Sequence, residues 1–520
     1  MLLLIHPPVM KPCEPPAGIA KIKGVMNLFG VKVKLLDANI EGALHLFKTS
    51  VEPSDTWTKR ASNNFPTNLA SIKSFSAYQN LDRYKRAVND LNHLLEVVAH
   101  AKGSRLSLNN YHDQKLSPVK SKDLIKSAEH PEENLFFPYF KKRLLKILEH
   151  DQPSAVGFSL NYLSQALCTF SMVGWLRQEF PGLKLILGGG LVTSWVKNPG
   201  WQNPFRGLID HLVAGPGEYP LLSLLGIIGN KNFSCLPDYT PLPLGEYLAP
   251  GLILPYSASS GCYWNKCSFC PERAEGNLYA PVPVDKVLTD LQTLATQTQP
   301  VLIHFLDNAL SPALLKALAS HPLPVPWYGF SRITSHLTDL DFCRALKQSG
   351  CVMLKLGLES GDQEVLDSLN KGINLTKASQ ALKTLKKAGI ATYVYLIFGT
   401  VAENAAAAKK TRDFVVKHCD DIDFLNLAIF NLPVYGPEVE KVEAKNFYDG
   451  DLSLYSDFLH PQGWNRLKVR EFLNKEFTRH PAIASIIRKE PPFFTSNHAP
   501  FFVIKNQGFM NSTFPLRYKG

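Results

Sequence analysis

Long apolar runs, clustered charge and cysteine are all scarce in this sequence of 520 residues. No uninterrupted apolar stretch approaches the roughly 18 residues needed for a membrane-spanning helix. The opening "MLLLIHPPVM" has neither a basic flank nor a small-residue cleavage site, so a soluble cytoplasmic protein is expected. Lys and Arg total 56 against 45 Asp and Glu, a net charge of +11, yet they never gather into one basic tract. Such a balance admits nucleic acid or phosphorylated ligands, and the dispersion disfavours nucleic acid as the partner. Nine cysteines in a chain of this length fall far below the density of a disulfide scaffold. Six of them (Cys13, Cys168, Cys235, Cys343, Cys351, Cys419) are scattered and read as small buried hydrophobes.

What is present is alternation. "LLLI" ends at "HPP", "GIAKIKGVMNLFG" has helical apolar spacing, and "VKVKLLD" reads as a strand; this βαβ opening implies a parallel sheet. Residues from about 48 to 150 interrupt it with polar, Asn- and Lys-rich sequence and one expected helix, "NLDRYKRAVNDLNHLLEVVAH". The rhythm resumes through "SAVGFSL", "LKLILGGG" and "DHLVAG". The expected organisation is a doubly wound, Rossmann-like domain over 1–234 carrying that insertion, then a Pro-rich linker at 235–251. A second alternating region, 252–435, offers six strands separated by helices, as in a partial (β/α)6 barrel with function at the C-terminal strand ends. A C-terminal region, 436–520, has no assigned pattern.

Only Cys262, Cys267 and Cys270 are clustered, in "GCYWNKCSFCPE". A structural zinc site normally needs a second ligand pair a dozen or more residues away, and none follows. A disulfide suits neither an odd number of thiols nor a cytosolic chain. An iron–sulfur cluster held by three thiolates leaves one iron open to a substrate or cofactor.

With these residues the chain resembles the radical S-adenosylmethionine superfamily, whose cluster loop follows the first barrel strand and usually reads Cys-x3-Cys-x2-Cys. The loop here follows "LILPYSAS", and Phe269 occupies the aromatic position before the last Cys. The first gap, Tyr263 to Lys266, is one residue longer than usual. The resemblance implies a 4Fe–4S cluster on the three cysteines and S-adenosylmethionine chelating the open iron. One-electron reduction would cleave the C5′–S bond to a 5′-deoxyadenosyl radical. It further implies Asp307 near the methionine moiety, Arg332 pairing with the methionine carboxylate, Glu359 in "LKLGLESGDQEVLDSLNKG" at the nucleoside end, and Gly399 in "LIFGT" against the adenine. Each also has an ordinary reading: Asp307 capping a turn, Arg332 in a surface ion pair, Gly399 at a helix entry.

The N-terminal region resembles the cobalamin-binding domain that precedes the barrel in one subgroup. The matching residues are Pro7 and Pro8, Asp37 with Asn39, Ser159, and the glycine turn Gly188, Gly189 and Gly190. Asp-x-His-x-x-Gly, which supplies a lower cobalt ligand in other cobalamin domains, is missing from the first loop; His6 lies at the strand end. The resemblance therefore implies cobalamin without a histidine on cobalt. Cobalamin-dependent methyl transfer to an unactivated carbon of a small-molecule or peptide substrate is the leading expectation, with an electron donor such as flavodoxin or ferredoxin and no membrane partner. The alternatives are a radical S-adenosylmethionine enzyme whose N-terminal domain only docks a substrate, and a metal-bearing nucleic-acid-binding protein.

Overall fold

In a computed structural model, the described residues are 1–49, 55–227, 235–447, 449–492 and 498–503; the remainder of the 436–520 region lies outside them. The chain divides into two compact units. The first is Met1–Leu252 with the described part of Tyr448–Leu454, and the second takes up nearly all the rest from Ile253.

Five parallel strands centre the first unit: β1 (Leu2–His6), β2 (Val33–Asp37), β3 (Ala155–Ser159), β4 (Lys184–Gly188) and β5 (His211–Val213). Their order is β2-β1-β3-β4-β5, so the direction of winding reverses between β1 and β3. In sheets wound this way the C-terminal strand ends at the reversal form the ligand crevice. Leu3, Ile5, Val156 and Leu187 are wholly buried, consistent with strands covered on both faces.

The interruption at 48–150 is more helical than its polar composition suggested. It holds Thr56–Ile72, Leu81–His100, Ser121–Glu129 and Phe137–Asp151, and the hairpin Ser104–Leu106 with Tyr111–Asp113. These helices are amphipathic, and their narrow apolar faces are easily masked by Asn and Lys on the solvent side. Arg143 ties the last of them, Phe137–Asp151, to the helix Ala38–Phe47 through a two-pronged ion pair with Glu41, at 2.7 and 3.0 Å. The Pro-rich linker at 235–251 packs against the first unit. Tyr239, Tyr247 and Leu248 are buried, Leu248 N–H donates to the Pro12 carbonyl at 2.8 Å, and Tyr247 donates to Asp37 at 2.8 Å. Proline fixes φ without requiring disorder.

The second unit carries six parallel strands: β6 (Ile253–Tyr256), β7 (Leu302–Phe305), β8 (Trp327–Ser331), β9 (Cys351–Glu359), β10 (Ala391–Phe398) and β11 (Phe424–Ile429). They run in sequential order from β6 to β11. Helix signals are explicit: Ser311 caps Pro312–Ser320 through Leu314 N–H, Asn374 caps Leu375–Ala388 through Lys377 N–H, and Gly389 ends that helix. Beyond β11 come a three-stranded antiparallel sheet (Leu432–Pro433, Ala444–Asn446, Tyr455–Phe458) and the helices Arg466–Phe472 and Pro481–Arg488.

Candidate active site

The cysteine loop leaves the C-terminal end of β6. Its neck is closed by antiparallel pairing of Ser259–Ser260 with Ala280–Pro281, so the segment between them projects as one excursion. Cys267 is buried, whereas Cys262 and Cys270 are partly exposed, and all three are free thiols. Burial pushes Cys267 above its ordinary pKa, opposed by the nearby Lys371 and Arg332 cations; burial raises Cys270 to about 11. Among the described residues no three His, Cys, Asp or Glu side chains are already gathered as a metal-binding group. The donor chemistry nonetheless suits an iron–sulfur cluster: three soft thiol ligands on one short loop, with cationic side chains beside the innermost one.

The residues expected around this loop occupy successive strand ends. Asp307, after β7, is buried and accepts hydrogen bonds from Ala258 N–H (3.0 Å) and the Ser259 hydroxyl. It thus ties the loop entry to the second strand, and burial raises its pKa. Arg332, after β8, is buried rather than in a surface ion pair. Its Nη1 lies 4.0 Å from Cys267 Sγ, and its other nitrogen donates to the Lys371 carbonyl. Glu359 ends β9 and pairs with Lys371 at 2.6 Å, both side chains being buried. Phe269 packs against Val365, Leu369 and Ala407 and lies 5.8 Å from the Lys371 ammonium. Gly399, after β10, has φ of +78° and donates its N–H to Glu403.

Three participants were not singled out by sequence reasoning. Lys371 stands twelve residues beyond its partner Glu359, a separation with no strand or helix period. Trp264 lies inside the cysteine gap, its indole N–H donating to the Asn370 carbonyl at 3.0 Å. Glu403 is buried; its Oε2 accepts from Gly399 N–H and Trp464 Nε1–H, while its Oε1 has no partner. Burial raises Glu403 to about 7.

In the first unit, Ser159 and the glycine turn are joined through Asn161. Its amide donates to Ser159 Oγ (3.1 Å), and its oxygen accepts from Gly190 N–H (3.0 Å). Gly189 has φ of +110°, and a Cβ there would collide with the Leu160 backbone, so glycine at this position serves the turn itself. Asp37 caps the helix Ala38–Phe47 through Asn39 and Ile40 N–H groups, and Asn39 accepts from Met10 N–H at 2.8 Å. His6 ends β1 beside the reversal point. It is buried with neither ring nitrogen partnered, and burial lowers its pKa to about 4, leaving a neutral imidazole. Such an orphaned group at a switch-point strand end fits a site built for a polar ligand.

Residues 256–415 match the model of the radical SAM superfamily. An uncharacterized methyltransferase of Pyrococcus horikoshii is 27% identical over 213 residues, 39% of this chain and 45% of that protein. The match thus spans under half of that relative's length. The hopanoid C-3 methylase of Methylococcus capsulatus is 23% identical over 359 residues, 63% of this chain and 68% of that protein. The solved structure of the cobalamin-dependent S-adenosylmethionine radical enzyme OxsB, with aqua-cobalamin bound, shares the fold. Its TM-score is 0.53 at 13% identity, covering 88% of this chain and 64% of that one. The second unit, with its six parallel strands and the three-cysteine loop after the first of them, carries a radical S-adenosylmethionine superfamily domain over residues 256–415.

Proposed function

We propose that the chain is a cobalamin-dependent radical S-adenosylmethionine enzyme that transfers a methyl group to an unactivated carbon of a small molecule. The observation that carries the radical part is the three-thiol loop whose innermost member, Cys267, lies beside Arg332 and the Glu359–Lys371 pair. Cys262, Cys267 and Cys270 would hold a 4Fe–4S cluster. When bound, the cluster supplies one electron to S-adenosylmethionine, and cobalamin supplies a transferable methyl group. The chain's own side chains bind and orient: Asp307 fixes the loop entry, and Arg332 offers a guanidinium suited to a carboxylate.

The cobalamin part is supported by the strand order β2-β1-β3-β4-β5, the orphaned His6 at its reversal, and the Asn161 bridge between Ser159 and Gly190. Both named relatives are methylating enzymes. An apolar cleft near the cysteine loop, lined by Tyr263, Tyr279, Val282, Pro312 and Leu314, suits an apolar portion of the substrate. Protein expressed with cobalamin supplied and purified anaerobically is expected to retain about one equivalent of corrinoid, seen in its visible absorption, as fits a single crevice at the switch point. Protein that binds iron but never corrinoid would overturn the cobalamin part and leave the N-terminal domain as a docking module.

A further inference from the structure

We propose that Trp264 is a positioning residue for the cluster loop. It holds the Arg332 guanidinium beside the Cys267 sulfur and keys the four-residue gap onto the turn that follows β9. The inference rests on Cys262, Cys267 and Cys270 being the cluster ligands.

The gap between the first two cysteines holds Tyr263, Trp264, Asn265 and Lys266. Asn265 takes left-handed backbone, φ +42°, a bend that short polar side chains tolerate. Trp264 is thereby docked on the 369–372 turn through several contacts. Its indole N–H donates to the Asn370 carbonyl at 3.0 Å. Its ring occupies the space that a side chain at Gly372 would fill, since a Cβ there would collide with the six-membered ring. The Arg332 guanidinium lies 4.1 Å from the ring centroid, well inside the range of a cation–π contact. The same guanidinium donates to the Lys371 carbonyl and reaches to 4.0 Å from Cys267 Sγ. One further tie, Ser268 N–H to the Leu369 carbonyl at 3.0 Å, joins the loop to this turn.

The cation is thus placed by a π face, a carbonyl and a sulfur. A guanidinium held this way keeps its charge directed at the anionic site instead of neutralising it against a carboxylate. A loop lacking the indole would retain Ser268 as a tether but would lose the platform under Arg332. The longer gap is accordingly the length that lets an indole reach the 370 carbonyl while Cys262 keeps its place at the neck.

The test uses the full chain in two states. In the cluster-free protein, iodoacetamide labelling mapped by mass spectrometry should show Cys267 of Trp264→Ala reacting about tenfold faster than in wild type, because Cys267 is buried in the docked loop and undocking opens it to the reagent, which outweighs the lost pull of Arg332 on the thiol. Trp264→Phe, which keeps a π face for Arg332 but loses the N–H bond to the Asn370 carbonyl and the outer ring beside Gly372, should fall between wild type and Trp264→Ala. Gly372→Ala should reproduce the acceleration, and should add little in the Trp264→Ala background, since both disrupt one contact. In the reconstituted protein, Trp264→Ala at full iron loading should show an altered electron paramagnetic resonance signal of the reduced cluster and weaker binding of S-adenosylmethionine, with Trp264→Phe restoring both in part. If Trp264→Ala is unstable, Trp264→Leu, which keeps bulk without a π face, gives the same readouts. Unchanged labelling, signal and binding in the Ala and Leu variants would overturn the proposal. Wild-type protein that takes up no iron would instead overturn the cluster reading on which it rests.

Discussion

Glu359 and Lys371 form an ion pair at 2.6 Å with both side chains buried, although twelve residues and a short helix separate them. A buried pair contributes little net stability when intact, because desolvation offsets attraction, but removing one partner strands the other charge. Lys371→Met is therefore expected to destabilise the barrel unit by about 3–5 kcal/mol. Chemical denaturation followed by tryptophan fluorescence checks this; an effect below about 1 kcal/mol would show that water reaches Glu359.

His6 predicts a trade between stability and ligand retention. A buried polar group without a partner costs about 1–3 kcal/mol, recovered when an apolar residue of similar size replaces it. His6→Leu should raise the melting temperature of the cofactor-free protein and lower the corrinoid retained after gel filtration. A loss of stability on substitution would mean that the imidazole is already satisfied within the fold.

Gly189 is required by backbone geometry. With φ at +110° and the Leu160 backbone in the way of any Cβ, Gly189→Ala should cost the first unit at least about 2 kcal/mol. Gly190 offers a contrast within the same turn, since the atoms nearest its hypothetical Cβ are 3.8 Å away. Gly190→Ala should be nearly neutral for folding, and any loss it causes should appear in ligand retention.

Glu403 gives a pH signature. Its folded pKa is raised to about 7 from an ordinary 4.5, first by burial and then by Asp362. Between those values the unfolded chain releases the proton while the folded chain keeps it, so the unfolded state gains. Stability of the barrel unit should therefore fall as pH rises from about 4.5 to about 7 and level off above, a change on the order of 3 kcal/mol. Glu403→Gln should flatten that slope in denaturation curves taken across this range. A slope unchanged by the substitution would assign the pH dependence to other groups.

The strands of both sheets were legible because fully buried parallel strands read as short β-branched and aromatic runs ended by polar or glycine turns. "VMLKLGLES" and "TYVYLIFG" became Cys351–Glu359 and Ala391–Phe398 almost residue for residue. The cysteine loop was legible for a different reason, since three thiols within nine positions have few other uses. What escaped is what depends on distance in sequence. Lys371 as the partner of Glu359, Asn161 as the bridge from Ser159 to Gly190, and Tyr247 as the donor to Asp37 are joined by folding, with no period to announce them. The helices Thr56–Ile72 and Phe137–Asp151 escaped because a proline within or near the start of each, and abundant Asn and Lys, outweighed a narrow apolar stripe.

The central claim is that Cys262, Cys267 and Cys270 hold a cluster that cleaves S-adenosylmethionine. Quantifying 5′-deoxyadenosine from anaerobically reconstituted, dithionite-reduced protein, beside the Cys262→Ala, Cys267→Ala, Cys270→Ala triple variant, tests it most directly. The account predicts about four irons per chain and 5′-deoxyadenosine from the wild type, with neither from the variant. Release by the variant at the wild-type rate, or a wild type that binds one zinc and no iron, would contradict it.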